Sequence, residues 1–342
     1  MPLLPNILER FLIRRGTVPG VMLDLLAGVQ HWALIGAMET GILDRLQEGP
    51  ADAATIAREL GLSERGVERL LELLGPMGYV EERDGTYQLT KGGRRWLPEQ
   101  DLQGLAAFFK DTTVEFRDVD RAIRDAPEEG IYGWENVQSG EVGRSYQAQM
   151  RWLAKQTLED VVGAIDLPDG ARRMLDVGGS HGLYTVAFCR ENPKLEGTVL
   201  DWEIGLENAR ETLEEATDVA DRIDLLERDF EEEELPGGYD FVFLGNIIHG
   251  ISPEGNRELF EKIGGATSDR AVVGIVDQLK GVSGSTFAKG IAALAGFNLF
   301  LFSGGRSYEY ETLKEWLADA GFDEVSQSSL SQPGFSLVVG RK

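Results

Sequence analysis

One segment, residues 172–201, restricts the fold of this 342-residue chain more than any other. A short apolar run stops at a glycine turn, and apolar residues recur at helical spacing after Gly182. This pattern predicts a strand, a tight turn and a helix. A second strand over residues 197–200 leads into Asp201, so an acidic side chain lies at the carboxyl end of the strand next to the turn. Ligands of open parallel sheets bind at that edge.

The turn contains Gly178, Gly179 and Gly182 and is preceded by Asp176. A dinucleotide site needs the spacing G-x-G-x-x-G and an acidic residue about 20 positions further on for the ribose. The turn here lacks that spacing. An acidic residue before a G-x-x-x-G turn suits a ligand with an amino-acid end and no pyrophosphate, namely S-adenosylmethionine (SAM). An ordinary strand-to-helix connection would look similar, so the prediction depends on the turn together with Asp201.

The composition is strongly acidic: 58 acidic against 34 basic residues give a formal net charge of −24. We expect no nucleic acid and no anionic membrane as partner, because a duplex requires clustered Lys and Arg to displace its counterions. Adaptation to a salty cytoplasm is one hypothesis, since a Debye length of about 3 Å at ~1 M tolerates dense negative charge. An ordinary acidic protein explains the charge equally well. The chain length is typical of two domains.

Cys189 is the only cysteine, so no intrachain disulfide can form and a reducing cytoplasm is expected. The first residues lack the charged region of a secretory signal. The longest apolar segment, residues 290–302, is much shorter than the ~20 residues of a membrane span and predicts a buried helix. We expect no metal site.

The first 100 residues have the pattern of a winged helix. The predicted elements are a helix from His31 to Leu46, helices over 52–60 and 64–74, and a hairpin centred on Asp84-Gly85. Although this fold can bind DNA, acidic residues interrupt both the second helix of the pair and the wing. A scaffold for dimerisation is therefore preferred.

Strands that alternate with helices predict a Rossmann-like sheet in the C-terminal part. Residues 102–167 read as mostly helical with a loop over 127–143. Further strands are expected at 223–226, 239–244 and 271–276, with a closing hairpin over 322–328 and 335–339. The acidic run 231–234 is interpreted as a solvated loop.

Two polar residues end neighbouring strands and are candidates for acid–base chemistry. His249 follows the strand over 239–244, and Asp277 ends the next one. Because adjacent strands lie about 4.8 Å apart, the carboxylate could fix the imidazole tautomer and leave the other nitrogen to take a proton from a hydroxyl. A structural pairing of two polar strand ends is the equal alternative. We expect His31 to contribute to packing. His181 lies inside the glycine turn, where it can touch a ligand, but filling space is the preferred interpretation.

The order of the motifs resembles one family. After the winged helix and the helical connector come LDVGGSHG at 175–182, a strand ending in Asp201, RDF at 228–230, FLGNIIHGISPE at 243–254 and GGRSYEYETL at 304–313. Together they are similar to SAM-dependent O-methyltransferases of the plant caffeate and bacterial hydroxyneurosporene type, over nearly the whole chain.

This resemblance implies an α/β fold with three parts: a winged-helix dimerisation domain over 1–100, a helical connector over 101–167, and a class I methyltransferase domain with SAM over 168–342. It further implies a homodimer formed through the N-terminal domain and methyl transfer to a hydroxyl of a small aromatic, polyketide or isoprenoid-like acceptor.

Residue roles follow from the same resemblance. His249 stands at the position of the catalytic base, with Asp277 as its acidic partner. Asp201 would bind the ribose hydroxyls, and Asp229 with Phe230 the adenine. The cofactor-binding candidates are Asp176, Gly178, Gly179, Gly182, Asp201, Asp229, Phe230 and Asn246. The acceptor-binding candidates are Met150 and Asn298, for both of which core packing is the alternative.

Four residues depart from the family pattern. Gly250-Ile251 stands where Asp-Trp is common after the histidine, Gly245 replaces a lysine, and Ser307 replaces a second acid beside the histidine. Asp277 alone is then left to orient His249. A SAM-binding relative that hydroxylates or decarboxylates its substrate is one alternative, and a winged-helix regulator that senses a ligand is another.

Overall fold

The computed structural model describes residues 11, 15, 21–97, 100–113, 115–137, 140–280 and 286–342. Contacts divide the chain into two compact units with the boundary after Lys110. The helices that follow this boundary belong to the unit that contains the main sheet. The expected domain limits at residues 100 and 167 stay a prediction.

The N-terminal unit is helical with one small hairpin. Its elements are α1 (Val21–Glu39), α2 (Ile42–Glu48), α3 (Ala53–Leu60), α4 (Glu64–Leu74), β1 (Val80–Arg83), β2 (Thr86–Leu89), α5 (Lys91–Trp96) and most of α6 (Gln100–Thr112). The predicted helix from His31 to Leu46 is wrong as a single element. It is divided because Gly41 adopts φ 73°, a left-handed conformation that ends α1 and starts α2.

The predicted helix pair and wing are present in this unit. Asp52 caps α3 by accepting a hydrogen bond from Thr55 N at 2.7 Å, and Ser63 caps α4. Asp84 and Gly85 both have positive φ, at 51° and 79°, as a two-residue hairpin turn with right-handed strand twist requires. The local sequence therefore specifies both turns.

Helix α1 carries an apolar face that the rest of its own unit leaves exposed. Val21, Leu25, Val29 and Trp32 recur at helical spacing on this face, and Leu25 retains 77% of its accessible surface. We call these four residues the α1 apolar face.

The C-terminal unit contains α7 (Val119–Asp125), α8 (Gly140–Ala164), β3 (Arg173–Val177), α9 (Leu183–Glu191), β4 (Glu196–Asp201), α10 (Glu203–Glu215), β5 (Ile223–Glu227), β6 (Tyr239–Gly245), α11 (Pro253–Ala266), β7 (Thr267–Asp277), α12 (Thr286–Ser303), α13 (Tyr310–Asp319), β8 (Glu324–Ser329) and β9 (Ser336–Arg341). The sheet has the strand order β5-β4-β3-β6-β7-β9-β8, and β9 runs antiparallel to both neighbours. The predicted Rossmann-like fold is confirmed.

The sheet is covered on both faces, which explains its continuous apolar strands. Along β6, Phe241 and Phe243 pack into one core cluster, whereas Val242 and Leu244 pack into the other. All four side chains are fully buried. This packing fixes the strand ends after β3, β4, β6 and β7, where the candidate site residues lie.

Two expectations for the helices are corrected. Helix α8 begins at Gly140, inside the loop expected to reach residue 143. Helix α12 was expected to be buried, yet Leu294 and Phe297 on it are exposed. In the described part of the chain, no helix combines the length and apolarity needed to cross a membrane.

Candidate active site

The glycine turn after β3 is held by backbone hydrogen bonds to β4. Gly178 N and Gly179 N donate to Leu200 O at 2.8 and 3.2 Å. Ser180 N donates to Asp201 Oδ2 at 2.8 Å. Ser180 adopts φ 42°, a left-handed conformation that is uncommon for a residue with a side chain. The turn and Asp201 therefore form one rigid edge of the site.

The first two glycines of the turn leave no room for a side chain. A Cβ at Gly178 would lie 2.3 Å from Ile247 Cδ1, and one at Gly179 would lie 2.6 Å from Asp176 Cγ. Gly182 instead contributes backbone geometry, because it has φ 66° directly before α9. The absence of side chains creates the cradle that a closely bound ligand needs.

Two acidic side chains sit side by side below this turn. Burial raises the pKa of Asp176 to about 7, against the hydrogen bond that it accepts from Thr185 and with the nearby Asp201 adding to the shift. Burial likewise raises the pKa of Asp201 to about 6, although its carboxylate accepts hydrogen bonds from Ser180 N and Trp202 N. Such a pair favours a cationic ligand, which offsets the cost of keeping both groups ionised.

A cavity of about 330 Å³ opens at this edge. Seven predicted site residues line it: Met150, Asp176, Gly178, Gly179, Asp201, Phe230 and Asn246. Five others do not: Gly182, Asp229, His249, Asp277 and Asn298. This space is the first cavity.

Asn246 is the clearest sign that a polar ligand fits the first cavity. It adopts φ 60°, and its amide oxygen is buried without a hydrogen-bond partner among the described residues. A buried acceptor without a partner costs on the order of 1–3 kcal/mol, so a donor on a ligand would relieve it. The unpaired amide oxygen, the paired carboxylates and the glycine cradle together suit an amino-acid nucleoside.

The acidic run after β5 is an exposed loop, as interpreted, and one of its members also reaches the first cavity. Glu231 lines the first cavity, and burial, with Asp229 and Glu232 nearby, raises its pKa. The carboxylate of Asp229 instead accepts hydrogen bonds from Glu231 N at 2.9 Å and Glu232 N at 3.4 Å. The adenine role of Asp229 stays a prediction, and Glu231 is the carboxylate of this run that faces the cavity.

His249 and Asp277 meet as their positions on neighbouring strands predict. His249 Nδ1 lies 2.7 Å from Asp277 Oδ1, and the two residues retain 5% and 1% of their accessible surface. When the carboxylate accepts from Nδ1, Nε2 is the nitrogen that can take a proton. Asp277 Oδ1 also accepts from Gln278 N at 2.7 Å, which fixes the carboxylate in turn.

Buried donors hold the short turn that carries His249. The side-chain amide of Asn256 donates to Ile248 O at 2.9 Å and to Ile251 O at 3.1 Å. Tyr308 Oη donates to Ile251 O at 2.6 Å, and Arg306 N donates to His249 O at 2.8 Å. The imidazole is therefore positioned by a rigid backbone as well as by Asp277.

Sequence reasoning missed the contribution of α8 to the first cavity. Tyr146, Gln147 and Met150 lie at helical spacing and all line it, but only Met150 was predicted. Gln147 hydrogen-bonds Ser180 and so ties α8 to the glycine turn. The sequence did contain a signal, because Met150 follows Tyr146 by four positions and Gln147 by three, and residues at these spacings share one face of a helix.

An aromatic stack connects α8 with α12. Phe302 of α12 stacks on Tyr132 with ring centroids 5.1 Å apart and on Tyr146 with centroids 6.2 Å apart. Tyr146 lines the first cavity. The end of α12 is thereby fixed to a wall of that cavity.

A second cavity of about 720 Å³ lies along α12. Its lining is mostly apolar with a basic rim and consists of Leu279, Lys280, Lys289, Ala292, Ala293, Gly296, Phe297, Phe300, Gly305, Arg306 and Ser307. Asn298 is half-buried on the same helix but lines neither cavity. Within the described ranges, no three His, Cys, Asp or Glu side chains are grouped to hold a metal ion.

Two family models match the chain. One, described as an O-methyltransferase domain, matches residues 117–323, and the other, an O-methyltransferase dimerisation domain, matches residues 24–99. The two matches fall in the C-terminal and the N-terminal part of the chain, respectively.

Similar proteins extend over nearly the full length. The 3-hydroxy-5-methyl-1-naphthoate 3-O-methyltransferase of Streptomyces sahachiroi is 31% identical over 333 residues, which are 94% of each chain. The demethylspheroidene O-methyltransferase of Cereibacter sphaeroides is 26% identical and aligns over 92% of this chain and 85% of its own. The solved structure of PigF with SAH aligns over 95% of this chain and 99% of its own, with a TM-score of 0.80 and 24% identity.

Proposed function

Because the chain belongs to the family of SAM-dependent O-methyltransferases, we propose that it methylates a hydroxyl of a small aromatic, polyketide or isoprenoid-like acceptor, with His249 as general base. Family membership confirms the expected enzyme class and cofactor. The acceptor class follows the printed names of the relatives, which act on a hydroxynaphthoate and on demethylspheroidene.

The first cavity is the proposed cofactor site. Asp201 accepts hydrogen bonds from ribose hydroxyls, and the cradle at Gly178 and Gly179 admits the amino-acid end next to Asp176. Phe230 offers an apolar surface to the purine ring. When bound, SAM supplies a methyl group on a positively charged sulfur.

His249 is the proposed base, and its buried hydrogen bond to Asp277 is the observation that carries this role. The carboxylate holds the proton on Nδ1, so Nε2 is the nitrogen that would accept the proton of the acceptor hydroxyl. The charge that develops on the imidazole is balanced by Asp277. Alignment of the reacting groups supplies the remaining acceleration through effective molarity.

Product analysis tests this function most directly. The purified protein is titrated with SAM and with S-adenosylhomocysteine (SAH) and then incubated with SAM and a panel of phenols, naphthols and polyketides. We expect both cofactor forms to bind and a methyl ether to form. Binding without any methylated product would favour a relative that hydroxylates or decarboxylates. A salt-dependent complex with DNA would favour the regulator.

We also propose that the protein is a homodimer formed through the N-terminal unit. The α1 apolar face is the support within the structure, because exposed apolar side chains at helical spacing mark an interaction surface. The match of residues 24–99 to a dimerisation domain favours a second copy of this chain as the occupant.

A further inference from the structure

The rim of the second cavity carries positive charge on a protein whose net charge is −24. Lys280, Lys289 and Arg306 line this cavity, and none of them pairs with an acidic group among the described residues. Glu309, which forms a backbone bridge with Lys280, is not a lining residue. Three unpaired cations at one opening form a local positive field, which attracts anions.

A buried hydroxyl in the same cavity also lacks a partner. Ser307 retains 7% of its accessible surface, and its Oγ makes no hydrogen bond to any described residue. A Cβ at Gly296 would lie 3.2 Å from this Oγ, so the hydroxyl faces the small-residue side of α12 that forms the cavity wall. An oxygen of a bound ligand would satisfy it.

The remaining wall is apolar and adjoins the His249 turn. Phe297, Phe300 and Leu279 offer surface to a ring system. Arg306 N donates to His249 O at 2.8 Å, and a Cβ at Gly305 would lie 2.8 Å from the same oxygen. The cavity therefore begins at the backbone that positions the proposed base.

We infer that the second cavity binds an acceptor that carries a carboxylate, with the ring system against α12 and the carboxylate at Lys280, Lys289, Arg306 and Ser307. This inference rests on the proposed methyltransferase function and specifies its acceptor as an aromatic or polyketide acid. Arg and Lys donate charge-assisted hydrogen bonds to a carboxylate, and an ester of the same shape offers a weaker acceptor without charge.

The test compares a hydroxynaphthoate with its methyl ester, each titrated into protein saturated with SAH. We expect the acid to bind at least about tenfold more tightly than the ester at low salt. In Lys289→Gln/Arg306→Gln, we expect this preference to fall below about threefold. The matched control is Lys314→Gln/Arg270→Gln, which removes two exposed cations that line neither cavity and should keep the preference.

Each outcome separates this inference from the proposed function. Equal affinity for acid and ester, an unchanged preference in Lys289→Gln/Arg306→Gln, or failure of both ligands to bind the SAH-saturated protein overturns the acidic acceptor. None of these three results would contradict the binding of the cofactor. Failure of SAH itself to bind the native protein would instead overturn the proposed function. An unchanged SAH affinity in both double variants shows that they are folded.

Discussion

His249 Nδ1 and Asp277 Oδ1 are 2.7 Å apart at the ends of β6 and β7, with both side chains buried. The second carboxylate oxygen, Asp277 Oδ2, is buried without a partner among the described residues. Among the described residues, the imidazole is the one side chain that hydrogen-bonds this carboxylate, so a change at either residue disturbs the other.

We predict that His249→Ala lowers kcat by about 10²–10⁴-fold, the usual contribution of general base catalysis. SAH affinity should stay within about twofold, because the imidazole does not line the first cavity. Asp277→Asn should also lower kcat, since it removes the charge that balances the imidazolium and its amide can donate to Nδ1, which stabilises the other tautomer. Asp224→Asn, an exposed carboxylate on β5, is the control. Unchanged turnover in His249→Ala would remove the imidazole from the mechanism.

Cofactor affinity should depend on pH through the carboxylates of the first cavity. The pKa of Asp201 is raised to about 6, so this group is protonated below that pH and no longer accepts two hydrogen bonds from a ribose. SAH affinity should therefore fall by about tenfold per pH unit below 6. Calorimetric titration between pH 5 and pH 8 measures it. Asp201→Asn should make the slope between pH 5 and pH 6 shallower, and the remaining slope is due to Asp176, whose pKa is raised to about 7.

The free protein should respond to pH in the opposite direction. The raised pKa values of Asp176 and Asp201 stabilise the fold fully below the unfolded value near ~4, and this contribution is lost as the pH rises through 6 and 7. Thermal unfolding without cofactor checks the sign. A native pKa for Asp201 near ~4, measured by carboxyl NMR, would contradict both expectations.

Gly179→Ala should weaken SAH binding at least about tenfold, because the added Cβ would lie 2.6 Å from Asp176 Cγ and displace a cavity carboxylate. Gly237→Ala is the matched control, since a Cβ there meets nothing within 4 Å. Calorimetric titration with SAH compares the two variants. Equal affinity in both would mean that the close approach at Gly179 has no part in binding.

Leu25→Glu should convert the proposed dimer to a monomer, because it places a charge in the middle of the α1 apolar face. Sedimentation velocity measures the oligomeric state. Ile123→Glu on α7 changes an apolar residue that is 65% exposed and should leave the dimer intact. A native protein that sediments as a monomer would refute the dimer outright.

Stability should rise with salt if the charge of −24 reflects a saline environment. Screening at ~1 M KCl reduces repulsion between exposed carboxylates, so Tm should increase relative to dilute buffer. Sucrose of equal osmolality is the control, because it stabilises by exclusion without screening charge. A Tm that is equal in both solutions would favour an ordinary acidic protein.

The strand ends could be predicted because the signals are local. Asp176, Asp201, His249 and Asp277 each follow an apolar run, and a parallel sheet brings such ends to one edge. The departure at Gly245 also has a physical explanation, since a Cβ there would lie 3.2 Å from Phe243 Cε1, which is tighter than ordinary contact. Short apolar runs and glycines were therefore sufficient to predict most of the fold and half of the site.

The rest depended on tertiary packing. Tyr146 and Gln147 reach the first cavity because of how α8 packs against the sheet, which no local pattern records. In the sequence, Glu231 is indistinguishable from the other members of the acidic run. In the structure, it lines the cavity beside the turn in which Asp229 accepts a hydrogen bond from its backbone N. Helix α12 was predicted to be buried because its sequence is apolar all round, and an exposed apolar face is indistinguishable from a core face in sequence.

The stack of Phe302 on Tyr146 joins helix α12, which forms a wall of the second cavity, to a side chain that lines the first. A substitution that widens the second cavity by shifting the end of α12 also moves an aromatic ring of the first. We expect such a variant to accept other substrates but to bind the cofactor less tightly, unless α8 changes as well. Engineering of this enzyme would have to vary both helices in one library, and descendants with altered acceptors should carry paired changes at the two rings.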